Sequence, residues 1–98
     1  MQQSIYANER ETEFIRLYRE GKRDFAKADL QGVNLQGVSL EHIRLIMADL
    51  RGANLQDTNL IGAKLAGAKL DDGTQINPTW RLIWETVNQD GNGHKPSR

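Results

Sequence analysis

Few side chains in this sequence can act as nucleophiles or bases. The serines are Ser4, Ser39 and Ser97, and the imidazoles are His42 and His94. A serine hydroxyl needs a positioned base before it attacks a substrate. Only Ser39 and His42 stand close together, and the chain's spacing puts them around a corner on an exposed convex wall. Asp71 and Asp72 offer two carboxylates to a metal. Without a histidine or further acids beside them, such a pair marks a solvated turn. His94 lies in a polar tail and has no partner. There is no cysteine, hence no disulfide frame, thiolate ligand or cysteine nucleophile. These residue types predict no enzyme, no metal and no cofactor.

The stretch that must position any site runs from Asp24 to Asp72 and repeats every five residues. Its third place holds Phe25, Leu30, Leu35, Leu40, Leu45, Leu50, Leu55, Leu60, Leu65 and Leu70 without a gap. Two residues before most of these comes a small or apolar side chain, from Ala28 and Val33 to Ala63 and Ala68. A helix repeats its apolar face at about 3.6 residues and a strand at 2. A period of five fits neither, and such leucines would spiral around a helix. If each unit is a short extended piece plus a corner, the third and first residues both point inward. The coil must then close and stack to bury them, which predicts a solenoid.

The fifth place is the corner. Gly32, Gly37, Gly52, Gly62 and Gly67 hold it in half the units, which suits a turn needing positive φ. Lys27, His42, Met47, Asp57 and Asp72 hold the rest. A side chain makes positive φ costly, so those corners are expected to use a different turn. No corner glycine reads as a phosphate cradle, because no strand and helix flank a single cluster.

The motif Ala-(Asp/Asn)-Leu-x-Gly, over ten consecutive units, resembles the pentapeptide-repeat family. That resemblance implies an all-β solenoid: a right-handed quadrilateral β-helix with four units, or twenty residues, per square coil. Ten units then make about two and a half coils, a core about 12 Å tall. The segment Ile-Asn-Pro-Thr-Trp-Arg-Leu-Ile-Trp, starting at Ile76, resembles the ending of cyanobacterial members. Some members imitate duplex DNA and bind DNA gyrase, which makes gyrase binding the alternative function. Between Asp24 and Asp72 stand seven acids and five bases. A surplus of two is thin for such a mimic, and so short a coil is a poor surrogate for a long duplex.

Both flanks read as helices within a single domain covering residues 1–98. Residues 1–7 carry no strong signal and are expected to fray. Asn8 with Glu11 forms a capping box, Phe14, Leu17 and Tyr18 share one face, and Gly21 supplies the stop, predicting a short helix over 8–21. The repeat follows over 23–72, with Arg23 at an inward-type place marking an irregular first unit. Asn77 and Pro78 open a second short helix over 77–89, with Trp80, Ile83, Trp84 and Val87 on one apolar face. Both helices are expected to cap the open ends of the solenoid. Residues 90–98 read as a disordered tail.

Thirteen basic residues balance thirteen acidic ones, so no global field steers the chain to nucleic acid or membrane. The N-terminus lacks the apolar run of a signal peptide, and no stretch reaches the length of a membrane span. The expectation is a cytoplasmic monomer with no direct nucleic-acid or membrane contact. Function is expected on the outer walls, as binding of an unidentified protein partner. Ala26, Ile46 and Ala66 stack at one corner with Met47 beside Ile46, an apolar column in an otherwise polar exterior. Arg44 and Arg51 supply a polar rim. The competing reading is that Ile5 and Tyr6 fold over this corner.

Overall fold

Rows of backbone hydrogen bonds, rather than long strands, organise the chain. The computed structural model describes residues 2–89, with side chains from Glu9 onward. Parallel bridges join Asp24 to Arg44, Asp29 to Asp49, Asn34 to Asn54, Ser39 to Asn59, Arg44 to Lys64 and Asp49 to Lys69. Every bridge spans twenty residues and successive bridges step by five. The chain therefore winds in a β-helical path with four units to a coil. Each coil bonds the next both ways: Leu30 N–H donates to Asp49 O at 2.9 Å, and Asp49 N–H to Ala28 O at 2.9 Å. A five-residue unit leaves little extended chain between corners. The named strands β1 (Asn54–Leu55) and β2 (Gln75–Ile76) are accordingly two residues each, paired in parallel.

The third-place column is the core. Phe25 and the leucines from Leu30 to Leu65 are buried, as are the first-place residues Val33, Ile43, Ala48, Ala53 and Ala68. Thr58 takes a first place with only 1 % exposure. Its Oγ1 donates to Leu35 O at 2.8 Å, which satisfies a hydroxyl that burial would otherwise penalise. Arg23, at the irregular first unit, keeps its side chain out. Its guanidinium lies 3.8 Å from the Tyr18 ring centroid, while its carbonyl still accepts Arg44 N–H.

Four of the five non-glycine corners depart from expectation, while Asp72 avoids positive φ as expected. Lys27, His42, Met47 and Asp57 adopt φ of 65°, 63°, 63° and 59°, the same left-handed corner that Gly62 uses at 74°. The uniform backbone ladder fixes the turn, and its bonds outweigh a left-handed cost of about 1–2 kcal/mol per residue. The His42 and Met47 side chains find room above their corners. A Cβ added to Gly62 would lie 2.8 Å from His42 Cε1, and one added to Gly67 would lie 2.9 Å from Met47 Cγ. The bare α-carbon of the upper coil leaves space for the side chain below.

The winding also runs further than the rhythm of leucines. Asn54 pairs with Gln75, one residue beyond the spacing of twenty, so a single extra residue enters near Gly73. Thr74 then takes a first place, with Oγ1 donating to Leu50 O at 2.9 Å, and Ile76 sits opposite Leu55. The sequence reading ended the repeat at Asp72 because that extra residue hides the continuing phase.

Helix α1 spans Gln2–Arg19. It does not begin at Asn8, because no glycine or proline interrupts residues 2–7 and the helix propagates through the proposed cap. Glu11 is free of the capping box, and its Oε2 accepts Asn34 N–H at 2.8 Å. The stop is as expected. Gly21 has φ 109°, Gly21 N–H bonds Tyr18 O and Lys22 N–H bonds Leu17 O, both at 3.0 Å. Phe14 drops onto Phe25 with ring centroids 4.6 Å apart. Arg10 donates to Asp29 O at 3.3 Å and Gln31 O at 2.9 Å, and the Tyr18 hydroxyl donates to Glu41 O at 2.8 Å. These carbonyls belong to the first coil, whose lower edge has no strand beneath it. The helix thus closes that end with polar side chains as well as apolar ones.

Helix α2 spans Pro78–Val87 and does the same at the last coil. Asn77 makes no side-chain cap bond to its own helix. Its Oδ1 instead accepts Asp57 N–H at 2.8 Å, an edge donor left open by the final coil. Trp84 Nε1 donates to Ala68 O at 2.7 Å, and Asn88 accepts Gly67 N–H at 2.6 Å. Trp80 and Trp84 are half-buried against the core, but the rest of the expected apolar face is not covered. Ile83 is 39 % exposed and Val87 49 %. Positions 77, 80, 84 and 88 face the coil, a strip that leaves Ile83 and Val87 on the flank. No described helix is long and apolar enough to cross a membrane. The expected disorder of 90–98 lies outside the described residues.

A candidate protein-contact wall

The wall proposed for contact is built from three successive passes of the coil. Bridges stack Asp24, Arg44 and Lys64 in one column. Lys27 N–H donates to Ile46 O and Met47 N–H to Ala66 O, both at 2.9 Å, which aligns Ala26, Ile46 and Ala66 at the corner. Ala26 and Ala66 are exposed and Ile46 is half-buried. Met47 is 51 % exposed and leans across the bare corner of Gly67. Whether Ile5 and Tyr6 fold over this corner concerns side chains outside the described residues.

The two arginines named as rim do not share one environment. Arg44 stands on the wall, 3.9 Å from Asp24. Arg51 belongs to the neighbouring wall, where it grips Asp49 at 2.8 and 2.6 Å. That hydrogen-bonded guanidinium lowers the Asp49 carboxyl to a pKa of about 2. Lys27 and Lys64 also lie on the wall of Met47, Lys64 in the column of Asp24 and Arg44. Counting in twenties from Met47 and Arg44 finds them.

The residues considered for chemistry are scattered or already engaged. Ser39 bridges Asn59 on an exposed wall and the His42 ring lies beneath Gly62. Asp71 is spent on the turn at the register slip. Its Oδ1 accepts Gly52 N–H at 2.9 Å and Gly73 N–H at 3.0 Å. The Gly52 bond leads in holding its pKa below the usual carboxylate range. Among the described residues no three His, Cys, Asp or Glu side chains group to hold a metal. A cleft of about 560 Å³ opens between α1 and the first coil over Phe14, Leu17, Phe25 and Leu30. On its rim Arg10 pairs with Asp29 at 3.4 Å and Glu13 with Arg16 at 2.8 Å.

The sequence model of the family described as pentapeptide repeats matches residues 34–72 in eight copies. Among solved structures, the chain is similar to a pentapeptide repeat protein (Rfr23) from the cyanobacterium Cyanothece 51142, at 39 % identity. The match covers 55 % of this chain and 40 % of that one, with a TM-score of 0.35. The chain therefore aligns with less than half the length of that protein. No curated protein matches the chain. With eight copies of the motif in unbroken register, residues 34–72 are pentapeptide repeats.

Proposed function

We propose that this chain is a non-enzymatic protein-interaction module, shaped as a right-handed quadrilateral β-helix of about two and a half coils with helices closing both ends. The observation that carries the reading is Met47, 51 % exposed beside Ile46 and Ala66 on a wall fixed by the backbone ladder. A rigid wall costs little entropy to engage, so a small apolar contact counts for more on it than on a loop. Methionine is adaptable at such a contact. Monomeric cytoplasmic action fits this reading, because side chains of α1 and α2 occupy edge groups through which copies would otherwise pair.

The test is a double variant, Ile46→Gln with Met47→Gly, which copies residue types used at other corners. Folding should persist, and capture of the native partner should be lost. Undiminished capture by the double variant would remove the wall from consideration. A duplex mimic needs a wall dominated by carboxylates, whereas this one sets Lys27, Arg44 and Lys64 against Asp24 alone. Purified protein should accordingly leave gyrase supercoiling and its quinolone inhibition unchanged, and a clear effect on either would overturn the choice.

A further inference from the structure

The wall of Met47 carries a charge arrangement that folding alone does not favour. Arg44 sits directly beneath Lys64 in the bridged column, and stacked strands lie about 4.8 Å apart. Like charges placed opposite one another on adjacent strands destabilise a sheet. The column's only carboxylate is Asp24, which lies below Arg44 at 3.9 Å and so on the far side from Lys64. Lys27, at the corner beneath Met47, adds a third cation. Among the described residues neither Lys27 nor Lys64 forms an ion pair.

The neighbouring wall meets the same problem with partners from within the chain. Asp29 and Asp49 are also stacked like charges. There Arg10 reaches Asp29 at 3.4 Å and Arg51 holds Asp49 at 2.6 Å, so both are neutralised within the chain. The formal charge of the whole chain is zero. Three cations against one acid on the wall of Met47 is therefore a matter of placement, and among the described residues none forms an ion pair with the upper part of the column.

We propose, resting on the interaction reading above, that this wall takes an acidic protein segment carrying an apolar residue beside its acids. A carboxylate entering between Arg44 and Lys64 gains from both and screens their repulsion. The adjacent apolar side chain then lies on Met47 and Ala66, with Ile46 as the partly covered floor. Opposed charge draws the segment in, and the apolar corner holds it in register. Nucleic acid is a poorer fit, because three cations neutralise few phosphates and the wall's one aromatic, Phe25, is buried beneath it.

The experiment uses the full chain and a fluorescently labelled peptide of repeated Glu-Glu-Leu, with Gln-Gln-Leu as its neutral control. The acidic peptide should bind and the control should not. Raising salt from about 0.1 M to 1 M shortens the Debye length from about 10 Å to 3 Å and should release the peptide. Lys64→Glu should weaken binding about tenfold, since it replaces an attraction by a repulsion. The same variant places an acid over Arg44, so its melting temperature should hold or rise, which separates lost binding from lost folding. Equal binding by Lys64→Glu, or equal binding of the neutral peptide, would overturn the inference. So would tighter binding of a single-stranded oligonucleotide or of phosphatidylserine vesicles than of the acidic peptide. If capture of the native partner is lost with Ile46→Gln/Met47→Gly but kept with Lys64→Glu, the interaction reading stands and the acidic partner falls.

Discussion

Alanine at Gly62 and alanine at Gly37 make a matched pair that isolates the packing of one corner. Both glycines have φ 74°, so the left-handed cost of a side chain is common to the two. That cost is about 1–2 kcal/mol, offset by about 0.4–1 kcal/mol as alanine restricts the unfolded chain. A Cβ on Gly37 meets nothing within 4 Å, whereas one on Gly62 falls within 2.8 Å of His42 Cε1. The imidazole must then leave its place at the bare corner, and because His42 is exposed the shift costs about 0.5–1.5 kcal/mol, as a rotamer change does. Gly37→Ala should therefore lower stability by about 1 kcal/mol and Gly62→Ala by about 1.5–2.5 kcal/mol. In a chain of this size each kcal/mol moves the melting temperature by roughly 4–8 °C. Urea titration of both variants, repeated in a His42→Gly background, completes the cycle. There Gly62→Ala should fall back to the Gly37→Ala value. Equal losses in the native background, or an unchanged gap after His42→Gly, would refute the idea that the lower coil's side chain occupies the upper coil's bare corner.

Trp84→Phe keeps an aromatic ring but removes the donor to Ala68 O, and should cost about 1–3 kcal/mol in urea unfolding with little change in helical circular dichroism. A loss below the error of that titration would mean the edge carbonyl finds another donor. Acid dependence offers the second test, through Asp49 and Arg51. The folded Asp49 pKa is depressed to about 2 from 3.8, so its contribution is complete above about pH 4 and fades as pH falls towards 2. The melting-temperature advantage of the native protein over Asp49→Asn should shrink across that window. An advantage that is constant down to pH 2 would show that the Asp49 charge adds nothing.

The winding was legible in the leucines because a period of five admits few ways to bury one side of the chain. Phe25 to Leu65 are buried as that period requires, and Asp24, Arg44 and Lys64 align as counting in twenties predicts. What escaped the sequence lies where local and long-range demands compete. Asn8 with Glu11 is a sound local cap, but Glu11 bonds Asn34, a residue that only coiling brings near. Asn77 likewise abandons its own helix for Asp57. The corners Lys27, His42, Met47 and Asp57 follow the ladder rather than their own φ preference. The extra residue at Gly73 has no hydrophobic signature, so the final unit through Ile76 looked like a break. Of the contact wall, the apolar corner was visible from stacking alone. Arg51 stands on the neighbouring wall, where it pairs with Asp49 two residues away.

The helices address only the outermost coils: α1 bonds residues of the first, and α2 bonds residues of the last. Among the described residues no contact of either cap measures how many coils lie between. Whole twenty-residue turns are thus interchangeable segments, and the molecule behaves as a telescoping rod whose fittings are independent of its length. Each added turn would raise the rod by about 4.8 Å and add one more rung to the cationic column, leaving both fittings untouched. Binding strength could then be graded by copying a stretch of sequence rather than by redesigning a surface. A family of such rods would differ in reach before it differed in chemistry.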